Sequence, residues 1–183
     1  MRRPAQKIAT RSRKTLEPPQ PKSYIFTANG TKLFDGTFIP PSTVIKERLK
    51  RGYWPLNETT KHRKSFNQGD VALLYATRPL KTFIAVASIR SQCMALSIRE
   101  RDKLEAEFDH LLGTPYIVEI GDPIFLPSPV PIQSVITELG FITNKAYWWV
   151  FLQGGAIKTE RQDYELVLKK GFAEQHPGTD GNL

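Results

Sequence analysis

The run QGDVALLYATRPLKTFIAVASIR, residues 68–90, decides the fold class. Gly69–Asp70 reads as a turn, Val71 to Tyr75 is continuously apolar, and so is most of Thr82 to Ile89. A strand on a one-sided sheet alternates apolar and polar residues. A strand that is apolar at nearly every position is covered on both faces. The short link Thr77–Arg78–Pro79–Leu80–Lys81 makes the two strands neighbours. The expectation is a sheet whose central strands are packed above and below.

Around this centre lie five or six strands with short helices between them. SYIFTAN, 23–29, is the first strand. Ser42 is a plausible N-cap for a helix that carries Val44, Ile45 and Leu49 on one face and stops at Gly52. Tyr53 to Gly69 reads as a long polar connection, because Gly52 and Pro55 flank Tyr53 and Trp54. Ser97 to Glu100 has the form of a capping box and opens a charged helix that ends near Gly113. TPYIVEI and PIFLP are strands with a bend at Gly121–Pro123. Pro131 opens a short helix closed by Gly140, and NKAYWWVFLQGG is strand-like at its end. Thr159 to Gln162 is a second capping box, before a last helix through Lys170 with Gly171 as its stop. Phe26, Phe83, Phe125 and Phe151 are expected in the core. With no regular βαβ alternation, the class is α+β: a curved, mostly antiparallel sheet or barrel decorated by short helices.

The chain has 183 residues, 40% of them hydrophobic, which is enough for one domain with a real core. Its formal net charge of +8 favours anionic partners, nucleic acid first. Residues 1–22 hold seven Lys and Arg against Glu17, with four prolines and few large apolar side chains. They read as a disordered basic arm, either a tether for phosphates or a solubilising tail. Residues 172–183 read as a frayed tail. A single cysteine, Cys93, precludes an intrachain disulfide and fits a reducing compartment. No apolar run approaches the roughly 18 residues of a membrane span, so the expectation is a soluble cytoplasmic protein.

Enzyme signatures are sparse. His62, His110 and His176 are scattered and cannot build a finger-type zinc site with one cysteine. Glu105, Glu107 and Asp109 read as a solvated helix face, Asp70 as a turn residue, and Asp163 as a carboxylate favoured near a helix N-terminus. No cofactor or metal is indicated. The sequence does supply aromatics beside polar and cationic groups: Tyr53 and Trp54, followed by Lys61, Arg63 and Lys64; Asn144, Lys145, Trp148 and Trp149; Asn29; and Tyr75. Aromatic faces stack on any nucleobase, amides match base edges, and cations hold phosphates. The competing reading puts at least one of Trp148 and Trp149 in the core, since neighbours on a strand face opposite ways.

The order of these features resembles the EVE domain family, within the PUA-like superfamily that also holds YTH and ASCH domains. YIFTAN, KRGYWPL, FNQGDVALLYAT and TFIAVASI follow the family's order, and PIQSVITELGFITNKAYWWVFLQGGAIKTERQDYELVL matches most closely. The resemblance covers residues 23–171 and implies a PUA-like curved β-barrel with a pocket for an everted, often modified base. Carried over by position, it implies a base-binding set of Trp54, Asn29, Tyr53, Tyr75, Asn144, Lys145 and Trp148. Lys61, Arg63 and Lys64 would serve the phosphates. SQCMAL, residues 91–96, lacks the further cage Trp that YTH readers place there.

The functional expectation is a non-catalytic nucleic-acid binding module, working with DNA or RNA and with a partner nuclease or other effector. Trp54 on its loop would stack the base, and Trp54→Ala would weaken binding without unfolding. The alternatives are an ASCH-like hydrolase that uses Lys145 or Asp163, and a basic protein-interaction domain.

Overall fold

A computed structural model of the chain describes residues 20–33, 35–108 and 114–173, the side chains of 105–108 excepted. The expected basic arm up to residue 19, the end of the charged helix at Gly113 and the tail from residue 174 lie outside the described residues.

The elements in chain order are β1 (Ser23–Ala28), β2 (Thr31–Lys32), β3 (Phe38–Ile39), α1 (Pro41–Arg51), β4 (Tyr53–Leu56), β5 (Val71–Ala76), β6 (Thr82–Ile89), β7 (Met94–Ala95), α2 (Ile98–Phe108), β8 (Tyr116–Pro131), β9 (Ala156–Thr159) and α3 (Arg161–Gly171). One sheet runs β4-β8-β6-β5-β1-β9, with β7 also on β8, and β2 and β3 form a small separate ribbon. β1 and β5 run parallel, with Ser23 opposite Val71 and Ala28 opposite Ala76. Every other pairing is antiparallel. Register shifts where β6 meets β8 bend the long β8, which serves β6 along one part and β4 and β7 along another. The sheet therefore curls, as the α+β expectation requires.

The central strands are covered on both faces, as their composition dictates. Tyr24, Phe26 and Leu74 pack with Val44, Ile45 and Leu49 of α1 on one side. Ile25, Leu73 and Tyr75 pack with Leu126, Val135 and Val167 on the other. Successive side chains of a strand point to opposite faces, so the alternation divides one strand between two cores.

Several local expectations change. α1 starts at Pro41 behind Pro40, with no side-chain cap, so Ser42 lies inside the first turn. Gly52 does end α1: at φ 76° its N–H reaches the carbonyls of Arg48 and Leu49. Tyr53–Leu56 is a strand and not a loop, because β8 supplies its backbone partners, with Trp54 opposite Val118. β4 is at the sheet edge, where a proline without N–H is tolerated. TPYIVEI and PIFLP merge into the single β8. PIQSVITEL forms only a short 3₁₀ turn at Ile132–Ser134, and Lys145–Leu152 forms 3₁₀ turns, not a strand. Ser97 and Glu100 make the expected reciprocal capping bonds. Thr159 does not cap α3; its Oγ1 donates to Ser23 Oγ instead. Gly171 ends α3 from within, where a Cβ would meet Leu126 Cδ2 at 2.8 Å. Phe125 is 47% exposed and not core. Among the described residues, no helix is long and apolar enough to cross a membrane.

Trp54 is 1% exposed and lies in the core, with the Phe26 ring centroid 5.4 Å from its own. Trp54→Ala is therefore expected to cost about 3–5 kcal/mol in urea denaturation. A loss under about 1 kcal/mol would contradict this packing.

Candidate functional site

The parallel pair β1/β5 opens side by side. Past the strand ends, the Thr77 N–H donates to the Ala28 carbonyl at 3.0 Å, and Thr77 Oγ1 donates to Asn29 Oδ1 at 2.8 Å. On the β9 side, the Thr27 N–H donates to the Gly155 carbonyl at 3.0 Å. Gly154 and Gly155 have φ of 102° and 79°, a backbone that disfavours any side chain, and a Cβ on Gly155 would lie 3.3 Å from Thr60 Oγ1. Asn144 Oδ1 accepts from the N–H groups of Ala146 and Tyr147, which starts the 3₁₀ turns of 145–152 across the strand ends. Between these parts is a cleft of about 910 Å³.

Its walls are aromatic and cationic. Trp148 is half-buried, and Trp149 is 43% exposed, with the two ring centroids 6.2 Å apart and nearly perpendicular. Lys81 Nζ lies 5.9 Å from the Trp148 ring centroid. The Lys81 backbone is held at φ 50°, its N–H on the Thr77 carbonyl and its own carbonyl on the Ile132 N–H. Amides of Asn29, Gln133 and Gln153 and hydroxyls of Thr27 and Thr77 also line the space. The charged lining residues are Arg48, Arg78 and Lys81, and no carboxylate lines the cleft among the described residues.

The floor holds Trp54, with the Arg48 guanidinium carbon 4.7 Å from its ring centroid. The indole thus has Phe26 and Arg48 as ring neighbours. Arg48 Nε has neither solvent contact nor a hydrogen-bond partner among the described residues. Burial pushes the Arg48 pKa down to about 10, so it is still a cation at neutral pH. Burial pushes the Tyr75 phenol up, so it is uncharged there.

Of the residues singled out in the sequence, Trp54, Asn29, Tyr75 and Trp148 meet at this cleft. Tyr53 does not: it alternates with Trp54 along β4 and packs with Ile117, Leu96 and Leu104. Asn144 caps the turn described above, and Lys145 Nζ donates to the Leu139 carbonyl, so both are structural and outside the lining. Lys61 and Lys64 are exposed; Arg63 and Lys64 line a shallower concavity of about 320 Å³ that meets the cleft at Thr60. Arg63 also stacks on Tyr116 at 4.5 Å and donates to the Glu58 carbonyl. The hydrolase candidates are not assembled. Asp163 is buried and accepts from the Gly140 and Phe141 N–H groups, and like Lys145 it is absent from the lining. Among the described residues, no group of His, Cys, Asp and Glu could hold a metal ion.

Sequence reasoning missed Arg48, Arg78 and Lys81, and it noted Trp149 without placing it in the base-binding set. A signal existed for Arg48. It is four residues past Val44 and three past Ile45, on the apolar stripe of α1. An arginine on a buried stripe has a partner to find.

No protein-family model and no curated protein sequence matches the chain. Solved structures match its fold. The YTH domain of Zygosaccharomyces rouxii MRB1, in complex with N6-methyladenosine RNA, is 15% identical, with a TM-score of 0.56 over 86% of this chain and 88% of that one. Human THYN1, in complex with DNA containing 5-methylcytosine, is 11% identical, with a TM-score of 0.54 over 84% of this chain and 99% of that one. A ZmASCH mutant protein from Zymomonas mobilis is 10% identical, with a TM-score of 0.52 over 84% and 99%. The fold is the PUA-like one common to EVE, YTH and ASCH domains, as the sequence resemblance implied.

The geometry separates the three tryptophans. Iodide is drawn to cationic surfaces and should quench chiefly Trp149 and Trp148. Trp149→Phe is expected to remove most of the quenchable fluorescence, and Trp54→Phe almost none. Equal losses would contradict the burial of Trp54 and the exposure of Trp149.

Proposed function

We propose that the cleft receives one flat heterocycle of a nucleic-acid strand, a base turned out of its stack, and that the chain is a binding module with no bond-breaking step of its own. The observation that carries this reading is the pair of accessible indoles, Trp148 and Trp149, in a cleft with three cations and, among the described residues, no carboxylate. Extruding a base costs a few kcal/mol. Stacking on an aromatic returns about 1–3 kcal/mol per base, and hydrogen bonds from Asn29, Gln133 or Gln153 add to that. Arg78 and Lys81 stand at the cleft beside the strand's path, and Lys61, Arg63 and Lys64 extend the positive surface past Thr60. Their contribution falls as salt rises.

The direct stack on Trp54 expected from the sequence is not open in this geometry, since Arg48 lies over the ring. Trp54 instead supports the floor. A modified base fits the reading, because THYN1 and the YTH domain above are seen with methylated DNA and RNA. A module of this kind would act through an effector, such as a nuclease. The ASCH likeness keeps a hydrolase in view, but the described lining offers no carboxylate or imidazole to serve as general base near neutral pH.

The test is a screen of short oligonucleotides, each with one modified base, at two salt concentrations, beside a turnover assay over the same ligands. The variant carrying both Trp148→Ala and Trp149→Ala should bind about 5- to 150-fold more weakly while keeping a cooperative melt. Unchanged affinity in that variant, or product formation by the wild type, would contradict the proposal.

A further inference from the structure

Tyr147 is the most exposed aromatic side chain among the described residues, at 58%, and it stands outside the cleft lining. Its ring is not isolated. It meets the Trp149 ring edge to face at 5.4 Å between centroids, and Trp149 meets Trp148 at 6.2 Å. The three rings form a row that starts at half-buried Trp148 in the cleft and ends at Tyr147 in solvent. The local backbone makes this row. In an unbroken 3₁₀ helix, side chains three residues apart eclipse one another. Here the turns break at Tyr147, with φ −116° and ψ 35°, and its ring meets that of the residue two further on. Asn144 Oδ1 accepts from the Tyr147 N–H and anchors the break. Val150, 54% exposed, adds an apolar group on the same segment. Large apolar groups left together at a surface mark a contact site.

The occupant that fits is the base next to the one in the cleft, a reading that rests on the base site proposed above. Turning a base out of its stack leaves its neighbour with an uncovered face. An aromatic ring covers such a face whatever the base, because every base has a π-surface. Trp149 belongs both to the cleft lining and to the pair with Tyr147, so a strand that leaves the cleft over that rim meets Tyr147. A tyrosine suits the place. Its ring is apolar, and its hydroxyl keeps contact with water when no strand is bound. Residues 145–152 contain no acidic side chain, so the phosphates flanking the neighbouring base meet no like charge from this segment.

We infer that Tyr147 is a second stacking site for the strand, holding the base that adjoins the everted one, so that the protein engages two consecutive bases. The experiment titrates strands that are abasic except at named positions, one series in RNA around N6-methyladenine and one in DNA around 5-methylcytosine. Each series holds an all-abasic strand, a strand with the modified base alone, and two strands with an unmodified adenine added on its 5′ or its 3′ side. In wild type the modified base alone should bind above the all-abasic strand in at least one series, and adenine on one side should add about 5- to 150-fold. Adenine on the other side should add little. Tyr147→Ala should melt as wild type does, keep the preference for the modified base alone, and lose the gain from the neighbour. Tyr147→Phe should keep that gain. The inference is overturned by a wild type that gains nothing from either neighbour, by a gain that survives in Tyr147→Ala, or by a wild-type dimer that Tyr147→Ala dissolves, which would make a second copy of the chain the occupant. Each of those results leaves the base site standing when the modified base alone still binds above the abasic strand. If it does so in neither series, the base site and this inference fail together.

Discussion

The parallel pairing of β1 with β5 is the constraint on which the rest depends. Two parallel neighbours cannot be closed by a hairpin, so the chain between them must cross over. The crossover contains α1 and β4, and it brings Arg48 and Trp54 under the ends of the two strands. Both strands finish together, at Ala28 and Ala76, and the Thr77 bonds to Ala28 and Asn29 hold the exits in register. A cleft at the strand ends follows from that register. The 3₁₀ turns of 145–152 and the left-handed pair Gly154–Gly155 supply its remaining wall.

Within the cleft, the chemistry is divided by depth. Apolar packing fixes the floor: Phe26 and Trp54 are held by both the sheet and α1. The more exposed lining groups, Trp149 and Arg78, face solvent. Arg48 stands between these regimes. It is cationic, it touches an indole face, and it has no counter-charge among the described residues.

Much of the fold was legible in the sequence, for identifiable reasons. The unbroken apolar runs at Val71–Ala76 and Thr82–Ile89 forced two-sided burial, Ser97 with Glu100 announced α2, and Gly52 ended α1. β4 was hidden, because Gly52 and Pro55 look like loop residues until β8, far along the chain, provides an edge that tolerates a proline. The aromatic run at 147–151 looked β-like in composition, but Asn144 bonds to two following N–H groups and turns it into a 3₁₀ wall. That change put both Trp148 and Trp149 at the cleft where strand alternation would have separated them. Asn144 and Lys145 were selected for their chemistry, yet backbone groups use them. Arg78 and Lys81 could not be placed from sequence, since their position follows from how one link crosses the strand ends.

The central claim is that ligand enters at the ends of β1 and β5. The most direct measurement is an amide and indole N–H chemical-shift titration of the full chain with a single-stranded oligonucleotide. The account predicts that the indole signals of Trp148 and Trp149 and the amides of Thr77, Gly154 and Gly155 move together and saturate at one affinity. Shifts confined to Lys61–Ser65, with those five signals unmoved, would contradict it.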